Sequence, residues 1–278
     1  MEEEETKRDK LARMARETVE ATTWEEYEAV YGTTVPLHEE LNEMSTRLFK
    51  PEDFIEIDRS GSSFNITDIT VTNIDVMSAA KQISDMQISS DNLPHIGILN
   101  FASATHPGGG FLRGANAQEE AIARSTALYK SLMEVPEYYL YNRDMRDPIY
   151  SNDIIYTYSC PVIRDTDENL TAEVWPVDIC TCAAPNLSRL ETPPDNIRDI
   201  LKYRMTCILR SFASNDCYNI VLGAWGCGVF KNDPVMVSEL FKELLDSEEF
   251  TNLFKIVIFA ILDNDEKKII TPFETVFK

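Results

Sequence analysis

Gly108-Gly-Gly-Phe-Leu-Arg-Gly-Ala-Asn-Ala-Gln-Glu-Glu120 decides the reading of this chain. Three glycines close a predicted strand, and seven residues later Gln118, Glu119 and Glu120 open a predicted helix. Glycine lets a backbone approach a ligand closely and adopt either sign of φ. Consecutive glycine N–H groups form an anion-binding concavity, and a helix start adds free donors to it. Two carboxylates beside a phosphate-sized cradle point to acid/base chemistry on a nucleotide-like substrate. Adjacent helical residues point about 100° apart, so Glu119 and Glu120 cannot flank one bond as a separated glycosidase pair does. The plainer alternative is that acids in a first turn complement the helix dipole, which explains the charge but not the glycines.

Working outward, His95 to Ala102 is an apolar strand running into the glycines, and Gln118 to Met133 is amphipathic. Phe64 to Thr72, Ile154 to Ile163, Val174 to Cys182, Tyr218 to Leu222 and Phe254 to Leu262 read as further strands. Helical periodicity marks Asp75 to Ile83, a long helix from Thr192-Pro-Pro-Asp onward, and another capped by Asp233-Pro. Strands alternating with helices predict an α/β layer fold around a largely buried sheet. Leu11, Met14, Ala15, Thr18 and Val19, then Leu37, Leu41, Met44 and Leu48, fall at helical spacing. Residues 1–60 are therefore expected to be a helical accessory segment, with a polar break near Tyr31 to Thr34, and 61–278 the catalytic core.

A second glycine loop, Gly223-Ala-Trp-Gly-Cys-Gly-Val-Phe230, follows the strand at Tyr218 to Leu222. Ligands of open α/β sheets sit beyond the carboxyl ends of strands, so the two loops can line one crevice. Neither loop matches a P-loop or Gly-x-Gly-x-x-Gly. From the residues alone, Phe230 either stacks on a sugar or packs as core, and Trp225 packs. Asn73 and Asn100, at strand ends, are hydroxyl binders or turn residues. His106 could contact ligand, and Arg113 either contacts phosphate or is an exposed loop arginine; a Cys227/His106 nucleophilic pair is conceivable, but nothing in the spacing supports it.

Composition narrows the classes. The chain has 278 residues, 44% apolar, with 47 acidic against 26 basic residues and a net charge of −21. That balance disfavours a basic nucleic-acid face, so an anionic ligand must be held by short-range donors. No window resembles a membrane span. The N-terminal Met-Glu-Glu-Glu-Glu is unlike a secretory leader, which predicts an intracellular, cytoplasmic setting. The six scattered cysteines, with no Cys-x-x-Cys, read as buried thiols and support neither a disulfide scaffold nor a zinc site.

Leu99-Asn-Phe-Ala-Ser-Ala-Thr-His-Pro-Gly-Gly-Gly110, seven residues and Gln-Glu-Glu resemble the bacterial-type poly(ADP-ribose) glycohydrolase signature. Val221-Leu-Gly-Ala-Trp-Gly-Cys-Gly-Val-Phe230 resembles that family's diphosphate loop, and Ala183-Ala-Pro-Asn186 fits between them. The resemblance implies a macrodomain-like mixed β-sheet between helices, binding ADP-ribose at the strand ends, with no metal and no cofactor. It implies that Glu120 is the catalytic acid/base, that Glu119 holds ribose hydroxyls and that Gln118 fixes the loop. It places Asn100, Ser103, Gly108, Gly109 and Gly110 around the distal ribose and diphosphate. Gly226, Cys227, Gly228 and Val229 would line the diphosphate, with Phe230 on the distal ribose. Ser103 stands where some members have asparagine, a shorter donor toward the ribose. A glutamate acting as acid profits from a raised pKa.

The activity so implied is exo-hydrolysis of ribose–ribose O-glycosidic bonds, by a monomer acting on modified proteins. The alternatives are removal of a single ADP-ribose from protein, nucleic acid or metabolite, and a reader that binds without turnover. The intact Glu119–Glu120 pair argues against the reader.

Overall fold

The computed structural model describes residues 5–53, 64, 67–87, 95–263 and 268–278. In chain order the elements are α1 (Lys7–Trp24), β1 (Glu26–Ala29), β2 (Thr33–Pro36), α2 (His38–Glu43), β3 (Ser45–Phe49), β4 (Asp68–Thr72) and α3 (Val76–Gln87). They continue with β5 (Ile96–Phe101), α4 (Gln118–Ser125), α5 (Leu128–Leu132), α6 (Pro136–Met145), β6 (Ile154–Arg164) and β7 (Leu170–Cys182). The last are α7 (Ile197–Ala213), β8 (Asn219–Leu222), α8 (Pro234–Leu245), β9 (Ile256–Ala260) and α9 (Ile270–Val276).

Seven strands form one sheet in the order β3-β6-β7-β5-β8-β9-β4. The five from β7 to β4 run parallel, while β6 and β3 are antiparallel additions at one edge. Alternate side chains of the strands enter two separate cores, as the two-residue period of a strand requires. Leu99, Cys180, Ile220 and Phe259 face α7, α8 and α9, meeting Met205, Phe212, Leu240 and Phe273. Ile98, Ile179, Val221 and Ile258 face the other way, toward Ile83 of α3, Ile122 of α4, Leu132 of α5 and Tyr139 of α6. The expected helix–sheet–helix layering is what forms.

Three expectations need correction. Residues 1–60 are not helical throughout: the polar break is the turn of the β1–β2 hairpin, where Tyr31 and Gly32 both have positive φ. Ser45–Phe49 is extended and joins the main sheet as an edge strand against β6, burying little besides Phe49. An edge strand needs only one inward side chain in two, which helical spacing of leucines does not reveal. The boundary at residue 60 lies outside the described residues, as do parts of the expected strand from Phe64. Second, the amphipathic stretch from Gln118 is two helices. Thr126 breaks it by bridging to Val162, and its hydroxyl donates to the Ile122 carbonyl, 2.8 Å. Third, α7 starts at Ile197, because Pro194 closes a turn onto the Ile197 N–H at 3.0 Å before the helix begins.

Candidate active site

β7, β5 and β8 are parallel neighbours, so their carboxyl ends open on one edge of the sheet. Each runs into a segment singled out in the sequence: Ala183–Asn186 after β7, the triple-glycine loop after β5, and Gly223–Phe230 after β8.

β5 pairs with β8 only from Ile96 to Ile98. The Ala102 N–H is directed to Cys182 of β7, so alternation turns Leu99 and Phe101 toward the β8 side. There the Gln118 amide takes the place of a strand. Its Nε2 donates to the Leu99 carbonyl at 2.7 Å, and its Oε1 accepts from the Phe101 N–H at 2.8 Å. A primary amide offers the same donor and acceptor as a peptide. Gln118 therefore bolts the start of α4 to β5 and holds β5 and β8 apart where the site opens.

Glu119 and Glu120, 4% and 8% exposed, follow at once. Glu119 Oε2 accepts from the Ser103 N–H at 2.8 Å, while its Oε1 is buried with no hydrogen-bond partner of good geometry. Glu120 Oε1 accepts from the Gly110 N–H at 2.9 Å and Oε2 from the Ala117 N–H at 3.0 Å. Although adjacent on the helix, both side chains bend onto Gly109. A Cβ there would lie 2.9 Å from Glu119 Oε2 and clash outright with Glu120 Oε1, and Gly109 has φ +60°. Only glycine meets both conditions. Burial pushes the Glu119 carboxyl well above the ordinary carboxylate range; the Ser103 N–H opposes this and the Glu120 charge reinforces it.

The first glycine loop is consequently not an open anion cradle. Of the three glycines, the N–H groups of Gly108 and Gly110 face Glu119 and Glu120, while the Gly109 N–H returns to the His106 carbonyl at 3.0 Å. The Ser103 hydroxyl also turns inward, accepting from the N–H groups of Thr105 and His106 at 3.3 and 3.1 Å. Ser103 thus shapes the loop with its side chain and serves Glu119 with its backbone. Asn100 is fully buried; Nδ2 donates to Thr181 Oγ1 at 3.2 Å, and Oδ1 has no partner.

The second loop is built differently. Among the described residues, the N–H groups of Gly226, Gly228, Val229 and Phe230 donate to no acceptor. Gly226 is held at φ +76°, with the Asn232 amide 2.5 Å and Ala184 Cβ 2.6 Å from where its own Cβ would be. Gly228 has open space around it, and Val229 is exposed. Phe230 is half-buried in a small cluster with Ala104, Ala183 and Tyr150, its ring 6.2 Å from that of Tyr150. It touches elements of all three strand-end segments. Trp225 is fully buried, its indole donating to the Cys182 carbonyl at 2.9 Å, as a packing residue should.

No nucleophilic pair forms. The Cys227 thiol is turned to the Trp225 carbonyl, and burial raises it far above its ordinary range. His106 is exposed and contacts Thr105 Oγ1 at 2.9 Å. Asn73 ties the end of β4 to Asp263 through two hydrogen bonds and is a structural link. All six cysteines are free and buried.

Two residues of this edge were not anticipated. Asn232, deeply buried, donates to the Pro185 carbonyl at 2.8 Å and the Gly226 carbonyl at 3.1 Å, stitching the segment after β7 to the loop after β8. Arg204 is fully buried beneath the same edge, donating to Asn152 Oδ1 and to the carbonyls of Ala183, Ile149 and Tyr150. Its signal was present: Arg204 interrupts the apolar face of Ile197, Leu201 and Ile208.

The family model described as microbial-type PARG, catalytic domain, where PARG is poly(ADP-ribose) glycohydrolase, matches residues 15–165. The PARG of Thermomonospora curvata has a TM-score of 0.89 and 36% identity, covering 97% of this chain and 100% of that one. Its structure bound to the inhibitor ADP-HPD gives 0.85 at 36% identity, covering 96% and 99%. The Deinococcus radiodurans PARG in complex with ADP-ribose gives 0.74 at 35% identity, covering 84% and 94%. No curated protein sequence matches the chain.

Proposed function

The chain belongs to the microbial-type poly(ADP-ribose) glycohydrolase family and is a glycosidase of that class, and on this premise we propose that it works from polymer ends. The cleft takes the terminal ADP-ribose, and the ribose–ribose O-glycosidic bond behind it is cut. Glu120 gives its proton to the leaving ribose oxygen as the anomeric C–O bond breaks. The ribosyl centre becomes oxocarbenium-like, water attacks it, and the Glu120 carboxylate takes a proton from that water. The products are ADP-ribose and a polymer one unit shorter. Glu119 holds a ribose hydroxyl through Oε1, which has no hydrogen-bond partner of good geometry among the described residues. Gln118 keeps the pair in place through β5, with Asn100 and the Ser103 backbone beside it. The diphosphate lies on the second loop, along Gly226, Cys227, Gly228 and Val229, with Phe230 against the distal ribose.

The observation that carries this reading is the row of N–H groups after β8 that donate to no acceptor among the described residues, at the same sheet edge as a buried carboxyl pair after β5. Short-range donors of this kind can hold a diphosphate in a chain of net charge −21, where a broad basic face is missing. Residues 61–278 are the catalytic core in this reading, and α1 of the 1–60 segment braces the turn after the glycines. Modified proteins are the acceptors, the enzyme acts as a monomer, and the unpaired cysteines fit an intracellular setting. Among the described residues no helix is long and apolar enough to cross a membrane.

The test is ADP-ribose release from purified poly(ADP-ribose). Glu120→Gln should lose about 10²- to 10⁴-fold in kcat, the usual contribution of a positioned acid/base, and Glu119→Gln less. Wild-type protein that binds ADP-ribose yet releases none from polymer or mono-ADP-ribosylated protein would leave the reader standing.

A further inference from the structure

The reaction described above leaves one cleft without a role. It has a volume of about 690 Å³ and lies between the start of α1 and the turn after the triple glycine, lined by Lys7, Arg8, Leu11, Gly110, Arg113 and Asn116. Its three cations form no ion pair among the described residues; Arg8 Nε donates instead to the Arg113 carbonyl at 3.0 Å. With 47 acidic and 26 basic residues, an exposed cation has many carboxylates to choose from. Among the described residues, the acids nearest in sequence are engaged elsewhere: Glu5 with Arg13, and Asp9 with the Thr6 hydroxyl. Lys7 and Arg8 also occupy the first turn of α1, where the helix dipole disfavours positive charge. Three cations gathered on one cleft with no ion pair among the described residues, two of them against the dipole, suit an external anion.

Gly110 joins this cleft to the carboxyl pair. Its N–H holds Glu120 Oε1 at 2.9 Å. The position of a Cβ on Gly110 would be 3.7 Å from Glu120 Oε1 and 3.8 Å from Arg113 Nη2. The Arg113 guanidinium therefore stands no farther from the acid than those two distances laid end to end. In a polymer, the oxygen that Glu120 protonates belongs to a unit carrying its own diphosphate. The second glycine loop serves the diphosphate of the unit being released and cannot serve both.

We propose that the cleft between α1 and the Phe111–Arg113 turn is a leaving-side subsite, in which Lys7, Arg8 and Arg113 bind the diphosphate of the adjacent ADP-ribose unit. This rests on the glycohydrolase reading and adds to it a preference for polymer over a single ADP-ribose. Arginine suits the task because its planar fork matches phosphate oxygens two at a time.

The experiment compares two substrates, poly(ADP-ribose) and ADP-ribose carrying an uncharged p-nitrophenyl leaving group, at low and high salt. For Lys7→Ala combined with Arg113→Glu, kcat/KM on polymer should fall on the order of 10-fold at low salt and less at high salt, as exposed charges are screened. Turnover of the p-nitrophenyl substrate should be unchanged, and Arg113→Lys, which keeps the charge without the fork, should retain part of the polymer activity. Equal losses on both substrates, or no loss on either, overturn the subsite and leave the glycohydrolase reading intact. Wild-type protein inactive on both overturns that reading and the subsite with it.

Discussion

The loop after β5 and the loop after β8 contain the same chemical groups and use them in opposite directions. After β5 the Gly110 N–H faces Glu120, and the Gly109 N–H turns back onto His106. After β8 the N–H groups of Gly226, Gly228, Val229 and Phe230 donate to no acceptor among the described residues. The first loop has found its anion in its own helix, and in the proposed reading the second keeps its donors for a ligand. A glycine run therefore marks where a backbone must come close to something. What that something is depends on whether its donors are already paired.

Gly109→Ala should break this contrast most severely. A methyl group at φ +60° collides with both carboxyl groups. Activity on polymer should fall on the order of 100-fold or more, the usual cost of displacing reacting groups by about 1 Å. ADP-ribose affinity, measured by calorimetry, should change far less, because the second loop is untouched. Comparable losses in both would mean that the loops are not divided in this way.

The reverse substitution sharpens it. Gly226→Ala drives a methyl group into Asn232 and Ala184 and should weaken ADP-ribose binding about 10-fold or more, with strain of about 1–3 kcal/mol. Gly228→Ala meets open space and should fold normally, with an affinity within about 3-fold of wild type, since a peptide N–H survives the change. If Gly228→Ala proves the more damaging, the free donors are not where the ligand sits.

The smallest effect is on stability. The Glu119 carboxyl titrates higher in the folded chain than in the unfolded one. The folded state therefore carries the extra proton from the ordinary carboxylate range, near about 4.3, up to the raised value, and stability falls as pH rises through that window. Glu119→Gln lacks this titration. Its Tm relative to wild type should climb by a few degrees across the window and then level off; a constant difference would place Glu119 in a solvated setting.

How much of this was legible beforehand follows the range of the interactions. β5, β8 and the start of α4 depend on local runs of apolar residues, glycines and acids, and they were readable. So was the adjacency of the two loops, which needs only parallel neighbours open at one end. Other features depend on partners distant in the chain. Thr126 divides the amphipathic stretch because it meets Val162, and Ser45–Phe49 is a strand because it meets β6. The inward turn of the Ser103 hydroxyl and the convergence of Glu119 and Glu120 on Gly109 require backbone angles that residue types alone do not specify. Asn232 was hidden in a polar run that reads as an ordinary loop, and Arg204 in an apolar helix face.

The break at Thr126 leaves α4 only eight residues long. A helix that short is marginal by itself in water. It exists because Gln118 is fastened to β5 at one end and, at the other, the Thr18 hydroxyl of α1 donates to the Arg124 carbonyl at 2.6 Å. The carboxyl pair is therefore assembled only when strand, helix and N-terminal segment have all docked. A partly folded chain has no weakened version of this catalyst. Hydrolysis should appear late during refolding, after most secondary structure, so that enzymatic turnover itself reports the completion of tertiary structure.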